Sequence, residues 1–258
     1  MNYKRSKFFT TLNKRKIKYL FLNKKSQITL VFFHGFMSDM IGAKPMAIQK
    51  FCRKQKLNFL KFEYSGHGKS SGKFIDGTIS QWTNEAKQLI NKFKKNKKLI
   101  FIGSSMGSWI GLNLISYFKM NLVGFVGIAS APDFTDELMW KKFPRDIKNE
   151  IDKKGILELK NEYGDYIITK KLIKDGRKNK VLKKIKKFKI PITLFHGNKD
   201  RMVPIKYSKK TLRLFKAKYK KLFIIKNGDH SLSRKSDLKK ICKELNNMIF
   251  NHLILNSF

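Results

Sequence analysis

Residues 103–107 read Gly-Ser-Ser-Met-Gly, a G-x-S-x-G pattern in which Ser105 holds the central position. An apolar run, Leu99 to Ile102, comes directly before it, and a helical pattern opens at Met106. A sharp strand-to-helix turn needs small residues on both flanks, and Gly103 and Gly107 supply them, leaving the Ser105 hydroxyl exposed at the tip. Ser104 is out of register for that role. A hydroxyl is a weak nucleophile near neutral pH and needs a neighbouring base. Of five histidines, His34 and His196 each close an apolar run within a His-Gly pair, His67 sits in a glycine-rich turn, and His252 falls in the last helical pattern. His230 lies in the loop Asn227-Gly228-Asp229-His230-Ser231, after a strand near the chain's end, and can reach back over the sheet edge to the serine. An acid must hold the imidazole in one tautomer. Asp229 adjoins His230 and is poorly placed for that. Asp200, in HGNKDRMVP, is favoured, with Asp133 as its competitor. The order Ser105, Asp200, His230 fits acyl transfer through an acyl-serine.

Such chemistry needs two donors for the oxyanion. The Met106 amide, at the start of the helix after the nucleophile, is one. The Phe36 amide, with Met37 as the alternative, is the other, because Gly35 lets the loop after His34 approach closely; a plain His34-Gly35 turn is the competing reading. The histidines are not at metal-ligand spacings and the stretch SGHGKSSG (65–72) lacks a phosphate-loop spacing, so no metal and no cofactor is expected.

The elements that position these residues alternate. Strands are predicted at Ile28–Phe33, Asn58–Tyr64, Lys98–Ile102, Leu122–Ile128, Ile192–Phe195 and Lys221–Ile225, with helices at about Pro45–Gln55, Ile79–Lys94, Met106–Phe118, Tyr207–Ala217 and Lys235–Leu253; a hairpin from Phe8 to Leu22 precedes them. This predicts an α/β-hydrolase fold: a mostly parallel central sheet with helices on both faces, as one domain over residues 1–258. The section 134–189 interrupts the alternation and is expected to form a small lid over the carboxyl ends of the strands. Its apolar residues Phe134, Leu138, Met139, Trp140 and Phe143, with Met37, are candidate acyl contacts.

The 258 residues carry 58 basic and 18 acidic side chains, a net charge of +40. Only 8 of the 58 are Arg, the residue suited to bidentate phosphate and base contacts, and the lysines are spread along the whole chain. That distribution argues for a coding bias and against a specific nucleic-acid site. Cys52 and Cys242 are expected to be free, partly buried thiols. No run approaches the length of a membrane span, and basic residues near the start are not followed by the apolar segment of a secretory signal, so a soluble, intracellular, cytoplasmic protein is expected.

The segments FFHGFMSDMIGAKPMAIQKFC, FEYSGHGKSSG, GTISQW, FIGSSMGSWIGL, LFHGNKDRMVP and GDHSLS together resemble the α/β-hydrolase-domain palmitoyl-protein thioesterases, over about residues 28 to 250. The resemblance implies a thioesterase or esterase with Ser105, Asp200 and His230 at the family's catalytic positions, acting on a small-molecule ester or an acyl-protein. Acyl-glucuronide esterase activity and a mitochondrial-matrix location are properties of the best-known members. Ser108 stands where glycine is commoner, Glu63 replaces an Asp, and section 134–189 is richer in lysine. Two other readings compete: another enzyme on this fold, such as a peptidase or a C–C bond hydrolase, and a polyanion-binding protein with a retired site.

Overall fold

The structure, a computed structural model, describes residues 6–159, 165–183 and 188–255. Strands β1 (Lys7–Thr10) and β2 (Lys16–Leu22) form the expected hairpin, followed by β3 (Ile28–Phe33), α1 (Ala43–Lys54), β4 (Asn58–Phe62), α2 (Ile79–Lys94), β5 (Lys98–Ser104), α3 (Met106–Leu114) and β6 (Leu122–Ile128). An insertion follows, containing α4 (Arg145–Lys154), β7 (Ile156–Leu159), β8 (Tyr166–Thr169) and α5 (Lys170–Lys178). The chain then rejoins the sheet with β9 (Ile192–Gly197), α6 (Lys206–Arg213), β10 (Lys220–Ile225) and α7 (Lys235–Leu255).

The sheet has eight strands in the order β1-β2-β4-β3-β5-β6-β9-β10. The β1–β2 and β2–β4 pairs are antiparallel and every other pair is parallel. A parallel strand covered on both faces must be apolar throughout, and all six residues of β3 are buried. Side chains alternate between two cores. Val31, Phe33, Leu99 and Phe101 face one, with Trp82 of α2 and Trp109 of α3. Leu30, Phe32, Ile100 and Ile102 face the other, with Cys52 of α1 and Leu245 of α7. In α2 the buried Ile79, Trp82, Ala86, Leu89 and Ile90 fall three and four apart, giving a single apolar stripe, and the Thr78 hydroxyl caps the helix by accepting from the Gln81 amide at 3.2 Å.

From β3 the chain moves outward to β4 and then back across β3 to β5, so the strand order reverses between β3 and β5. Ligands of open α/β sheets bind beyond the carboxyl ends of the strands at such a reversal. Phe33 pairs with Gly103 in register, so the loops after β3 and β5 start at the same level.

Two helices are shorter than their sequence patterns. Regular α3 stops at Leu114 and continues as turns, and α6 ends at Arg213 where Ala217 was expected. Phe215 instead bridges to Phe188, and Lys216 donates to the Phe188 carbonyl at 2.8 Å, which pulls the chain out of the helix. Both thiols are free: Cys52 is buried, Cys242 partly so. Among the described residues no helix is long and apolar enough to cross a membrane.

Candidate active site

Glycine is sterically required on both sides of Ser105. A Cβ on Gly107 would overlap the carbonyls of Phe33 and His34, and one on Gly103 would overlap the Ser108 backbone at the start of α3. Ser105 itself has φ 51° and ψ −117°, a strained backbone for a side-chain-bearing residue, of the kind that costs about 1–3 kcal/mol. The turn is held from three directions. The Ser105 amide donates to the Ile128 carbonyl at 2.9 Å, and the Ser105 carbonyl accepts from Ser108 and Ala131. Ser108, where a glycine would leave a gap, donates its hydroxyl to the Gly103 carbonyl at 2.7 Å and accepts from buried Ser130.

The three residues expected to act together do meet. His230 Nε2 lies 3.1 Å from Ser105 Oγ, and His230 Nδ1 lies 2.8 Å from Asp200 Oδ2. The Asp200 side chain is buried, and its other oxygen accepts from the amides of Met202 (3.0 Å) and Val203 (2.8 Å). With a carboxylate at Nδ1, that nitrogen carries the proton and Nε2 faces the serine as an acceptor. Asp133 is engaged elsewhere: its carboxylate accepts from the amides of Val181 and Leu182, and burial raises its pKa against the opposing effect of those bonds. Asp229 accepts from Ser231 Oγ and the Leu232 amide, shaping the His230 loop. Lys44 braces the same loop through the Ser231 carbonyl.

On the other side of Ser105, the loop after β3 is set by His34. Its Nε2 accepts from the Tyr64 amide at 3.3 Å, so the proton is on Nδ1, which donates to the Gly35 carbonyl at 2.8 Å. Burial, then the charge of His67, holds the His34 pKa well below its usual value, so this tautomer is neutral. A trans peptide points its C=O and N–H opposite ways. Pinning the Gly35 carbonyl to the ring therefore turns the Phe36 amide away from it. The Phe36 and Met106 amides donate to no acceptor among the described residues, and the Met106 amide stands at the positive end of α3. The left-handed turn falls on Met37 (φ 51°). Gly35 is less constrained than expected, since an added Cβ would meet Ser105 Cβ at an ordinary 3.5 Å. Glu63 accepts from the Lys69 amide and packs against Gly68, ordering the glycine-rich turn, while burial lowers His67 to about 4.

Ser105 and His230 open into a cavity of about 750 Å³. Its apolar wall includes Phe36, Met37, Phe134, Leu138 and Met139. Trp140, expected with them, is not in that wall. The backbone breaks at Met139 (φ −108°, ψ −81°), and Trp140 turns with Phe143 into a separate cluster around Ile151, Ile168 and Ile173, with the Arg177 guanidinium over its ring. Two contacts of Asp200 were missed by the sequence reading: the Val203 amide donates to Oδ1, and His196 Nε2 lies 3.4 Å from Oδ2, for which the signal available was the four-residue spacing from His196 to Asp200.

Residues 24–155, just over half of the chain, match the family described as serine aminopeptidase, S33. The chain belongs to this family. A crystal structure of a putative hydrolase from Agrobacterium vitis S4 superposes on this S33-family chain with a TM-score of 0.89 at 32% identity, covering 95% of this chain and 98% of that one. The mouse α/β-hydrolase domain-containing protein 10 does so with a TM-score of 0.86 at 25% identity, over 96% and 99%. The mitochondrial palmitoyl-protein thioesterase ABHD10 of Bos taurus is 27% identical over 223 residues, 85% of this chain and 72% of the relative. The S33-family protein described here is thus an α/β-hydrolase.

Proposed function

We propose that the protein is a serine thioesterase or esterase that removes an apolar acyl group through an acyl-serine intermediate. The observation that carries this reading is the position of His230, within hydrogen-bond reach of both Ser105 and Asp200 at the edge of an apolar cavity. His230 Nε2 takes the Ser105 proton as Oγ attacks the acyl carbon. The Met106 and Phe36 amides receive the charge that develops on the carbonyl oxygen. The imidazolium, stabilised by Asp200, returns its proton to the departing thiolate or alkoxide. Water then enters, gives a proton to His230 and attacks the acyl-serine; the bond from the acyl carbon to Oγ breaks, His230 returns the proton to Ser105 Oγ, and the carboxylic acid leaves. Phe134, Leu138, Met139 and Met37 flank the acyl chain, and the described residues of section 134–189 act as a lid, residues 160–164 and 184–187 lying outside those described. A volume near 750 Å³ suits a drug-sized acyl substrate.

The names of the curated relatives favour a thioester of an acylated protein as substrate and a mitochondrial-matrix location. The family description favours a second reading, an aminopeptidase. That activity needs an acid to hold a substrate ammonium, and Asp39 and Asp165 are the acids at the cavity wall. A fluorophosphonate probe should label the protein and fail to label Ser105→Ala, with turnover reduced about 10⁶-fold. Undiminished labelling of that variant would refute the assignment. Acyl thioesters of graded length, oxygen esters and aminoacyl amides, assayed side by side, separate the two readings.

A further inference from the structure

His34 and His196 share a placement: one directly follows β3 and the other is the penultimate residue of β9, and each precedes a glycine and is buried. His34 sets the loop after β3. We propose that His196 is a positioning residue for Asp200, an inference that rests on the triad reading above.

The Val203 carbonyl lies 2.8 Å from His196 Nε2 and can only accept, so Nε2 carries the ring proton. The neutral ring then accepts at Nδ1 from the Ser208 hydroxyl at 2.7 Å. Ser208 is buried on α6, so the ring is fixed at both nitrogens. Burial lowers its pKa, with Val203 and Asp200 opposing and the charge of His230 adding to the effect, so the ring stays neutral. Asp200 and His230 are the ionisable groups acting on it. Lys44 and Asp229 belong to the far side of the His230 loop.

Two consequences converge on Asp200. The Val203 residue is clamped between the ring, which holds its carbonyl, and Asp200 Oδ1, which accepts its amide at 2.8 Å. His196 Nε2 also lies 3.4 Å from Asp200 Oδ2, the oxygen hydrogen-bonded to His230. That distance is long for a hydrogen bond and still attractive for a dipole facing a buried carboxylate. Without the ring, Asp200 loses the frame that aims Oδ2 at His230. The predicted effect is on turnover, because the contact that suffers is the one that stabilises the imidazolium formed during reaction.

The test compares wild type with His196→Phe, which keeps a ring and removes both nitrogens, and His196→Gln, whose amide nitrogen reaches about as far as Nε2. Steady-state hydrolysis of a chromogenic acyl ester gives kcat and KM. The downfield proton resonance of His230 Nδ1–H reports the bond to Asp200 directly. Expected for the Phe variant are a kcat lower by about tenfold or more, KM within about twofold, and loss of the downfield resonance. The Gln variant should recover most of the turnover and the resonance. A folded Phe variant with unchanged kcat and an intact resonance would overturn the proposal, as would a Gln variant impaired equally in both. Should the Phe variant not fold, Ser208→Ala, which frees one ring nitrogen, should still lower kcat and broaden or shift the resonance; an unchanged kcat and resonance there would also overturn it. Failure of the triad reading is distinct, since wild type would then be labelled regardless of Ser105.

Discussion

Ser105 is held at a backbone geometry that its own side chain disfavours, by contacts that leave no room at either neighbour. Replacing Gly107 with Ala forces the helix away from the Phe33 carbonyl. The expected result is a loss of about 1–3 kcal/mol of stability, read as a lower denaturation midpoint, together with most of the esterase activity. The pattern around Ser105 was legible because steric constraint is written locally, in residues one and two positions away. The acid was less so. Asp133 and Asp200 both follow strands, and local sequence cannot separate them, since what occupies Asp133 is a pair of amides 48 and 49 positions further on. Trp140 failed for a related reason: Leu138, Met139 and Trp140 are consecutive apolar residues, and the change of backbone direction at Met139 has no sequence mark.

At the scale of elements, the insertion is rooted on acidic residues. Asp136 is buried and meets Lys180 and Arg177, the latter at 2.9 Å. Burial alone would raise its pKa, but the hydrogen bonds and charges of Lys180 and Arg177 leave it lowered. A carboxyl lowered in the folded state contributes stability above its unfolded value near 3.8, lost as pH falls through the folded value. Asp133, raised by burial, has the opposite sign, so bulk acid unfolding mixes the two. Their separation requires a difference: the melting temperature of Asp136→Asn should lie below wild type at pH 6, and the gap should shrink as pH drops toward 3. A constant gap would mean that the ion pairs contribute nothing. The strands and helices of the sheet were readable from short continuous apolar runs and period-3.6 patterns, as in β3 and α2. The ends of α6 and the internal order of the insertion were not, because Phe188 and Phe215 meet only through the fold.

The whole molecule carries a charge of +40, nearly all of it on lysines facing water. Among the described lysines Lys61 is the exception, buried on β4 with its ammonium against Met46 Sδ and lowered to about 8 by burial. A diffuse surface charge of this kind should bind polyanions without selectivity. Retention on DNA should fall by about 10³-fold or more between about 50 and 200 mM salt if six to ten phosphates are contacted. Esterase activity on an uncharged substrate should hardly change over that range. Loss of both together would tie the charge to the site. Composition made this field obvious, but only coordinates could tell which cation was withdrawn from it. The tie between Asp133 and the amides of Val181 and Leu182 bears on the chain's modularity. Departure and return of a stretch of nearly fifty residues are knotted at one carboxylate, and the Ser80 amide on Asp175 and the Trp109 indole on the Asn179 carbonyl fasten the same stretch to the helices beneath. Such a cassette could be exchanged for a relative's, cut at the knot, to change which acyl chains are accepted while the strands beneath keep their register.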